Sequence, residues 1–439
     1  MKVYFLTLGC RVNQYETDAA RRLFLDNGHE NVDAPEDADV CIVNTCSVTG
    51  EADRKSSQML RRMAKNNPNA VIVAMGCASE LKTGEVPADI VIGTRDKNTV
   101  VKKVEDFVAQ RSEELDHKTS HVRPEVSKFD EYHDFGTVLS PEGARAFIKI
   151  EDGCNNFCSY CIIPYARGRV VSRDEEACIS EAKYLVENGF KELIVSGIHI
   201  CSYGKDQGKG IEALLDLLKK IDSIDGLERL RLGSLEPKSM TPEFIAALKE
   251  LKHLCPHFHL SLQSGSDTVL KRMNRKYTTA EYEDRVNALR EVFPDMSLTT
   301  DIITGFPGET EEEFAETIAY AEKLKFAKIH VFPYSEREGT VAAKMSQVDM
   351  SVRKARAKRL IEVSDNLATE FAMSLKGKEA EILIEKSEVK DGKLVYEGYT
   401  SNYVRAYATS KGREFARGEI VKGFVFAAKN ETCFMELVH

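Results

Sequence analysis

No apolar run in the 439 residues approaches the ~20 that a membrane span needs. Residues 1–9 lack the long apolar stretch of a secretory leader, so a cytoplasmic protein without a membrane partner is expected. Positive charge is not in excess: 61 Lys and Arg stand against 70 Asp and Glu, a net charge of −9. Bulk charge therefore does not advertise DNA or RNA, and any RNA contact has to come from a local patch. The eleven cysteines are an odd number in a long chain, which argues against a secreted disulfide framework and for a reducing cytosol. Nor does the densest cysteine group suit zinc. It has no second C-x2-C pair and no histidine within ten residues.

That group is Cys154-Asn155-Asn156-Phe157-Cys158-Ser159-Tyr160-Cys161, a C-x3-C-x2-C pattern just after a strand-like run and the tight Asp152-Gly153 pair. Three thiolates this close can hold three irons of a [4Fe-4S] cluster and leave the fourth iron open.

The first third alternates strands (3–8, 40–43, 70–75 and 90–92) with helices (16–27, 51–66 and 99–110), the pattern of a parallel α/β sheet. Cys10, Cys46 and Cys77 each fall just past the carboxyl end of a strand. In an open α/β sheet those ends share one edge, where ligands bind. Three thiols remote in sequence are thus expected together in space, as a second three-cysteine site. Cys41 reads as core, and Cys178, Cys201, Cys255 and Cys433 lack ligand spacing. An acidic-polar stretch, 113–134, marks a linker.

From 146 to 336 strand and helix alternate six times. Six βα units are too few for a closed eight-stranded barrel, so a partial barrel is expected, with chemistry at the carboxyl ends of its strands. Glu236 and Arg275 carry opposite charges near the barrel mouth, where Arg can fork onto a carboxylate, and read equally as ligand partners or as a structural ion pair. Ser234 and Gln263 are weaker candidates, and Gly197 would allow close backbone approach. His199 and His330 read as structural histidines.

A basic helix follows at 351–375, read as a solvated face. Five short strands then lie between 379 and 438. Residues 376–439 hold eleven Lys and Arg against ten Asp and Glu, more basic than the rest. Tyr403, Arg405 and Arg413 stand among tyrosines and bases that suit unpaired RNA. The division expected is an α/β domain at 1–112, a linker at 113–139, a partial barrel with its following helix at 140–372, and an all-β barrel at 375–439.

The C-x3-C-x2-C loop on the first strand of a six-unit barrel resembles the radical S-adenosylmethionine (SAM) superfamily. Tyr160 matches its adenine-side aromatic, and Asp301-Ile302-Ile303-Thr304-Gly305-Phe306-Pro307-Gly308-Glu309 its fifth-strand motif. Over essentially its full length the chain resembles the methylthiotransferases, through Leu8-Gly9-Cys10, Asn44-Thr45-Cys46-Ser47, Gly76-Cys77, Pro164-Tyr165-Ala166-Arg167-Gly168 and Gly233-Ser234-Leu235-Glu236-Pro237. The resemblance implies two [4Fe-4S] clusters, on Cys154, Cys158 and Cys161 and on Cys10, Cys46 and Cys77. It also implies SAM as methyl donor and radical source, an electron donor such as flavodoxin or ferredoxin, and a C-terminal TRAM-type RNA-binding barrel. The stretch Cys10-Arg11-Val12-Asn13-Gln14-Tyr15-Glu16 looks most like the MtaB type, which methylthiolates C2 of N6-threonylcarbamoyladenosine at position 37 in the tRNA anticodon loop. Arg11 and Asn13 would then lie near the RNA. Isopentenyladenosine-37, a ribosomal-protein aspartate, or a non-catalytic iron–sulfur RNA-binding role are the competing readings.

Overall fold

A computed structural model of the chain describes residues 1–81, 86–113, 131–138, 143–390 and 392–438. Its first part runs β1 (Lys2–Thr7), α1 (Arg11–Asp26), β2 (Glu30–Asn31), β3 (Val40–Thr45), α2 (Gly50–Asn66), β4 (Val71–Gly76), α3 (Cys77–Leu81), β5 (Ile90–Ile92) and α4 (Val100–Glu113). The strands form one parallel sheet in the order β2-β1-β3-β4-β5. Every residue of β3 and β4 is buried, as strands covered on both faces must be. Helix α1 begins five residues earlier than its apolar spacing suggests. The buried positions of its early turns include Asn13, Glu16 and Thr17, so its inward face is polar and invisible to hydrophobic periodicity.

The second part runs β6 (Ala146–Lys149), β7 (Glu151–Asp152), α5 (Ile163–Arg167), β8 (Val171–Ser172), α6 (Glu175–Glu187), β9 (Glu192–Ser196), α7 (Glu212–Asp222), β10 (Arg229–Leu232), β11 (Ser234–Leu235), α8 (Pro242–Leu248), β12 (His257–Leu260), α9 (Asp267–Arg272), α10 (Thr279–Val292), β13 (Ser297–Thr304), α11 (Glu311–Leu324) and β14 (Lys328–Pro333). Strands β10-β9-β6 and β11-β12-β13-β14 pair in parallel, and Gly233 alone separates β10 from β11. These are the six expected strand positions in sequential order. Among the described residues β14 does not pair with β6, so the barrel stays open. Its core is one continuous apolar cluster that includes Ile148, Leu193, Leu232, Phe258 and Ile302. Capping boxes start α10 (Thr278 with Glu281) and α11 (Thr310 with Glu313).

Helix α12 (Met350–Ser374) leads to β15 (Glu379–Lys390), β16 (Lys393–Thr400), β17 (Arg405–Ser410), β18 (Ile420–Lys429) and β19 (Thr432–Leu437), which close as β15-β16-β17-β19-β18. The expected solvated face of α12 is only partly solvated. Arg353 and Arg356 are buried and hold the preceding barrel, donating to Tyr334 O at 3.0 Å and Glu309 Oε2 at 2.8 Å. Of the expected linker, 114–130 and 139 lie outside the described residues. Within 131–138, Arg173 clamps Asp134 at 2.8 and 2.9 Å, and Phe135 and Val138 are buried beside Tyr15 and Ala19.

Two three-cysteine sites joined by one arginine

Cys10, Cys46 and Cys77 stand directly after β1, β3 and β4, the three adjacent central strands. Their backbones are packed so closely that a Cβ at Gly9 would lie 2.7 Å from Cys46 Cβ and 2.9 Å from its Sγ. Gly9 and Gly76 both have φ of +112°, which favours glycine. Burial, with Cys77 and Cys10 as like charges beside it, pushes the Cys46 thiol up to about 11. Cys46 and Cys77 are buried while Cys10 is exposed, so the set opens to one side. Asn13 fixes the loops. Its amide donates to Leu8 O at 2.8 Å and Thr45 O at 3.0 Å, and its Oδ1 lies 3.6 Å from Cys10 Sγ.

The second set, Cys154, Cys158 and Cys161, is half-buried in the loop between β7 and α5. Phe157 has a φ of +48°, and Asn274, itself at +59°, donates to Phe157 O at 2.9 Å. Ser159 N donates to Met273 O at 3.0 Å. The loop is thus clamped by the segment after α9. Strained non-glycine residues kept in place by their surroundings are typical of binding sites. Burial pushes Cys154 up to about 11 and Cys161 up to about 12, in each case with help from Cys158.

Both donor sets suit an iron–sulfur cluster: three cysteines each, whose thiols act on one another as like charges, and no disulfide among them. Burial that keeps Cys46, Cys77, Cys154 and Cys161 protonated means that metal binding has to expel those protons.

Arg275 donates to Cys158 Sγ at 3.3 Å and to both Glu236 oxygens at 3.0 Å. Asn156 and His199 complete the polar wall, each 3.4 Å from Glu236 Oε2. Burial pushes the Glu236 carboxyl up, but His199 and Arg275 outweigh it and leave it below its ordinary value. Tyr160 packs edge-on against Phe306, the residue after Gly305, with ring centroids 6.4 Å apart. Ser234 is exposed, and Gln263 is buried with φ of +73° and its backbone tied to Asp301 and Ile303. The two glycines have a packing reason of their own. A Cβ at Gly197 would lie 2.3 Å from Glu151 Oε1, and one at Gly305 2.5 Å from Arg353 Cγ.

What connects the sets is a residue of the Pro164–Gly168 stretch, whose reach across to the first set its spacing does not give. Arg167, at the end of α5, reaches back to the first set and donates from Nε to Cys77 Sγ at 3.3 Å. Its other nitrogens hold Glu16 at 2.8 and 3.1 Å, Asp152 at 3.0 and 3.1 Å and Asn13 at 3.3 Å. Lys149 joins Glu16 at 3.0 Å and Asp152 at 2.5 Å, and Lys97 also bonds Glu16. One loop, from Asp152 to Gly168, therefore carries three cysteines and touches a fourth. On the other side, Gly50 N donates to Ser335 Oγ at 2.8 Å and Arg337 to Ser47 Oγ at 2.8 Å.

Residues 148–321 match the family model of the Radical SAM superfamily, and residues 2–93 match the model described as "Uncharacterized protein family UPF0004". The chain is 40% identical over 446 residues to the threonylcarbamoyladenosine tRNA methylthiotransferase MtaB of Bacillus subtilis, covering 99% of this chain and 97% of that one. The chain belongs to the radical SAM tRNA methylthiotransferases. A second relative, the tRNA-2-methylthio-N(6)-dimethylallyladenosine synthase of Thermoanaerobacter sp., is 35% identical over 98% of this chain and 92% of its own. In fold, this methylthiotransferase is similar to the radical S-adenosylmethionine methyltransferase TsrM of Kitasatospora setae, with a TM-score of 0.54 and 15% identity over 78% of this chain and 75% of that one. Membership of the superfamily brings a [4Fe-4S] cluster and SAM, for which Cys154, Cys158 and Cys161 are the donors at hand. No helix among the described residues is long and apolar enough to cross a membrane.

Of the RNA-facing candidates, Arg405 and Arg413 are exposed, paired with Glu397 and Glu419. Asn13 is buried in the cysteine cradle. Tyr403, with φ of +65°, stacks on Tyr399 at 4.9 Å and packs under Arg231 at 4.5 Å. Arg11 donates to its hydroxyl at 3.0 Å, so the loop of the small barrel reaches the residue beside Cys10.

Proposed function

We propose that the chain transfers a methylthio group to C2 of N6-threonylcarbamoyladenosine at position 37 of tRNA, with a second [4Fe-4S] cluster on Cys10, Cys46 and Cys77. The observation that carries this reading is the Arg167 bridge, which joins two three-cysteine sites to one scaffold. When bound, the clusters and SAM supply a reducing electron, a hydrogen-abstracting carbon radical and the methylthio group. The chain's own residues prepare the reaction. Arg275 presents a guanidinium to the SAM carboxylate, and Glu236 a carboxylate to its ammonium. Tyr160 and Gly305 border the adenine, with Gly197, Ser234 and Gln263 lining the strand ends. Arg11 stands at the acceptor, between Cys10 and Tyr403. Arg405 and Arg413 contact phosphates, with Tyr407 and Phe434, stacked at 6.3 Å, offering an aromatic face. A flavodoxin or ferredoxin supplies the electron in the cytoplasm. The working units are residues 1–112, 140–372 and 375–439.

Mass spectrometry of tRNA nucleosides from a deletion strain tests the acceptor. Loss of 2-methylthio-threonylcarbamoyladenosine, with the dimethylallyl product intact, is the expected result. An unchanged level overturns the assignment, and loss of the dimethylallyl product moves it to the branch of the 35% relative.

A further inference from the structure

Arg167 is built into the protein as a donor to sulfur. Its side chain is 1% exposed, and a guanidinium has five N–H groups. Four are taken by Glu16, Asp152 and Asn13, which fixes the plane of the group. The fifth, on Nε, is aimed at Cys77 Sγ at 3.3 Å. Asn13 Oδ1, which accepts from Arg167, also lies 3.6 Å from Cys10 Sγ, so the same brace touches two of the three cysteines. The charges do not balance. In the ion pairs here three cations, Arg167, Lys97 and Lys149, share two carboxylates, Glu16 and Asp152, and Cys77 lies beside Arg167. A buried network with a surplus cation needs an anion, and a metal-bound thiolate is the one within reach.

We infer that Arg167 is a positioning residue that sets the reduction potential of the second cluster through its Nε–H bond to Cys77. The inference rests on the proposed cluster at Cys10, Cys46 and Cys77. Hydrogen bonds to cluster sulfurs and nearby positive charge stabilise the more negative, reduced state, so the bond raises the potential of the one-electron couple. Arg167→Lys keeps the charge but cannot hold all of these partners and still direct an N–H at the sulfur.

The test uses full-length Cys158→Ala protein reconstituted anaerobically with iron and sulfide, in which the second cluster is the one retained. In EPR-monitored redox titration, Arg167→Lys is expected to lower the reduced fraction at fixed potential about tenfold, a shift of about 59 mV for a one-electron couple. An unchanged midpoint with full iron content overturns the inference and leaves the cluster standing. A Cys158→Ala protein without any cluster overturns the parent reading and the inference with it. Should Arg167→Lys fail to fold, pulsed EPR of the Cys158→Ala protein carrying [15N]arginine decides. A 15N coupling on the reduced cluster that Arg275→Lys does not remove supports the bond, and no coupling overturns it.

Discussion

The two three-cysteine sites reach the same donor set by opposite routes. Cys154, Cys158 and Cys161 lie within one loop, so their proximity is covalent before it is tertiary. Cys10, Cys46 and Cys77 come from three strand ends, and their proximity is a product of the whole sheet. Each site places an arginine 3.3 Å from one sulfur, Arg275 on Cys158 and Arg167 on Cys77. Arg275 is braced by one carboxylate, Glu236, at the barrel mouth, 12% exposed, whereas Arg167 is braced by two, the fully buried Glu16 and the 20% exposed Asp152. A loop site needs local clamps, and a dispersed site needs an interface.

The comparison breaks most sharply by removing one sulfur at a time. Cys158→Ala should abolish 5′-deoxyadenosine production while keeping about four of eight irons. Cys77→Ala should keep SAM cleavage under reduction and abolish methylthio product. Iron analysis and chromatography of the reaction check both. Loss of cleavage in Cys77→Ala would show that the sites are one unit and not two.

This difference also decided what the sequence could reveal. Residues 154–161 declare themselves by spacing. Cys10, Cys46 and Cys77 declare themselves once strand ends are located, because a parallel sheet puts those ends on one edge. The six barrel strands followed from alternation. The meeting of Glu16, Lys97, Lys149, Asp152 and Arg167 stayed hidden, since it depends on how the sheet docks on the barrel. A single charged residue in a helix reads as surface. The one available hint was Glu16 on the buried side of α1, where apolar spacing failed. Gly197 and Gly305 read as ligand-facing glycines, and the structure adds a packing reason for each, because a Cβ there would meet Glu151 and Arg353.

The second break concerns charge. Glu16→Gln removes a fully buried carboxylate shared by three cations and should cost about 3–5 kcal/mol. Glu236→Gln, 12% exposed at the barrel mouth, should cost about 1–3 kcal/mol, the range for an unmet hydrogen-bond partner. Denaturant unfolding of the apo-protein measures both. Equal losses would erase the distinction between the shared, buried carboxylate and the one at the mouth.

Backbone fit gives a third, smaller contrast. Gly9→Ala forces a Cβ to 2.7 Å from a side-chain carbon at φ of +112°, and should cost about 1–3 kcal/mol while depleting iron from the dispersed site alone. Iron content then separates this local effect from global unfolding.

Acid offers the gentlest probe. Burial pushes Glu16 and Asp152 up, but Arg167 and the lysines outweigh it and leave both carboxyls below their ordinary values. A depressed carboxyl adds stability that is complete above its unfolded value, about 4–4.5, and is lost as pH falls through the folded value. The unfolding free energy of the apo-protein should therefore fall as pH drops below about 4.5, by about 1.4 kcal/mol for each unit of depression. Glu16→Gln should flatten that fall more than Glu236→Gln does, because it removes a carboxylate shared by three cations. A fall with the same slope in both variants would mean that the acid-sensitive bonds lie elsewhere, and that the network around Arg167 is held by packing more than by charge.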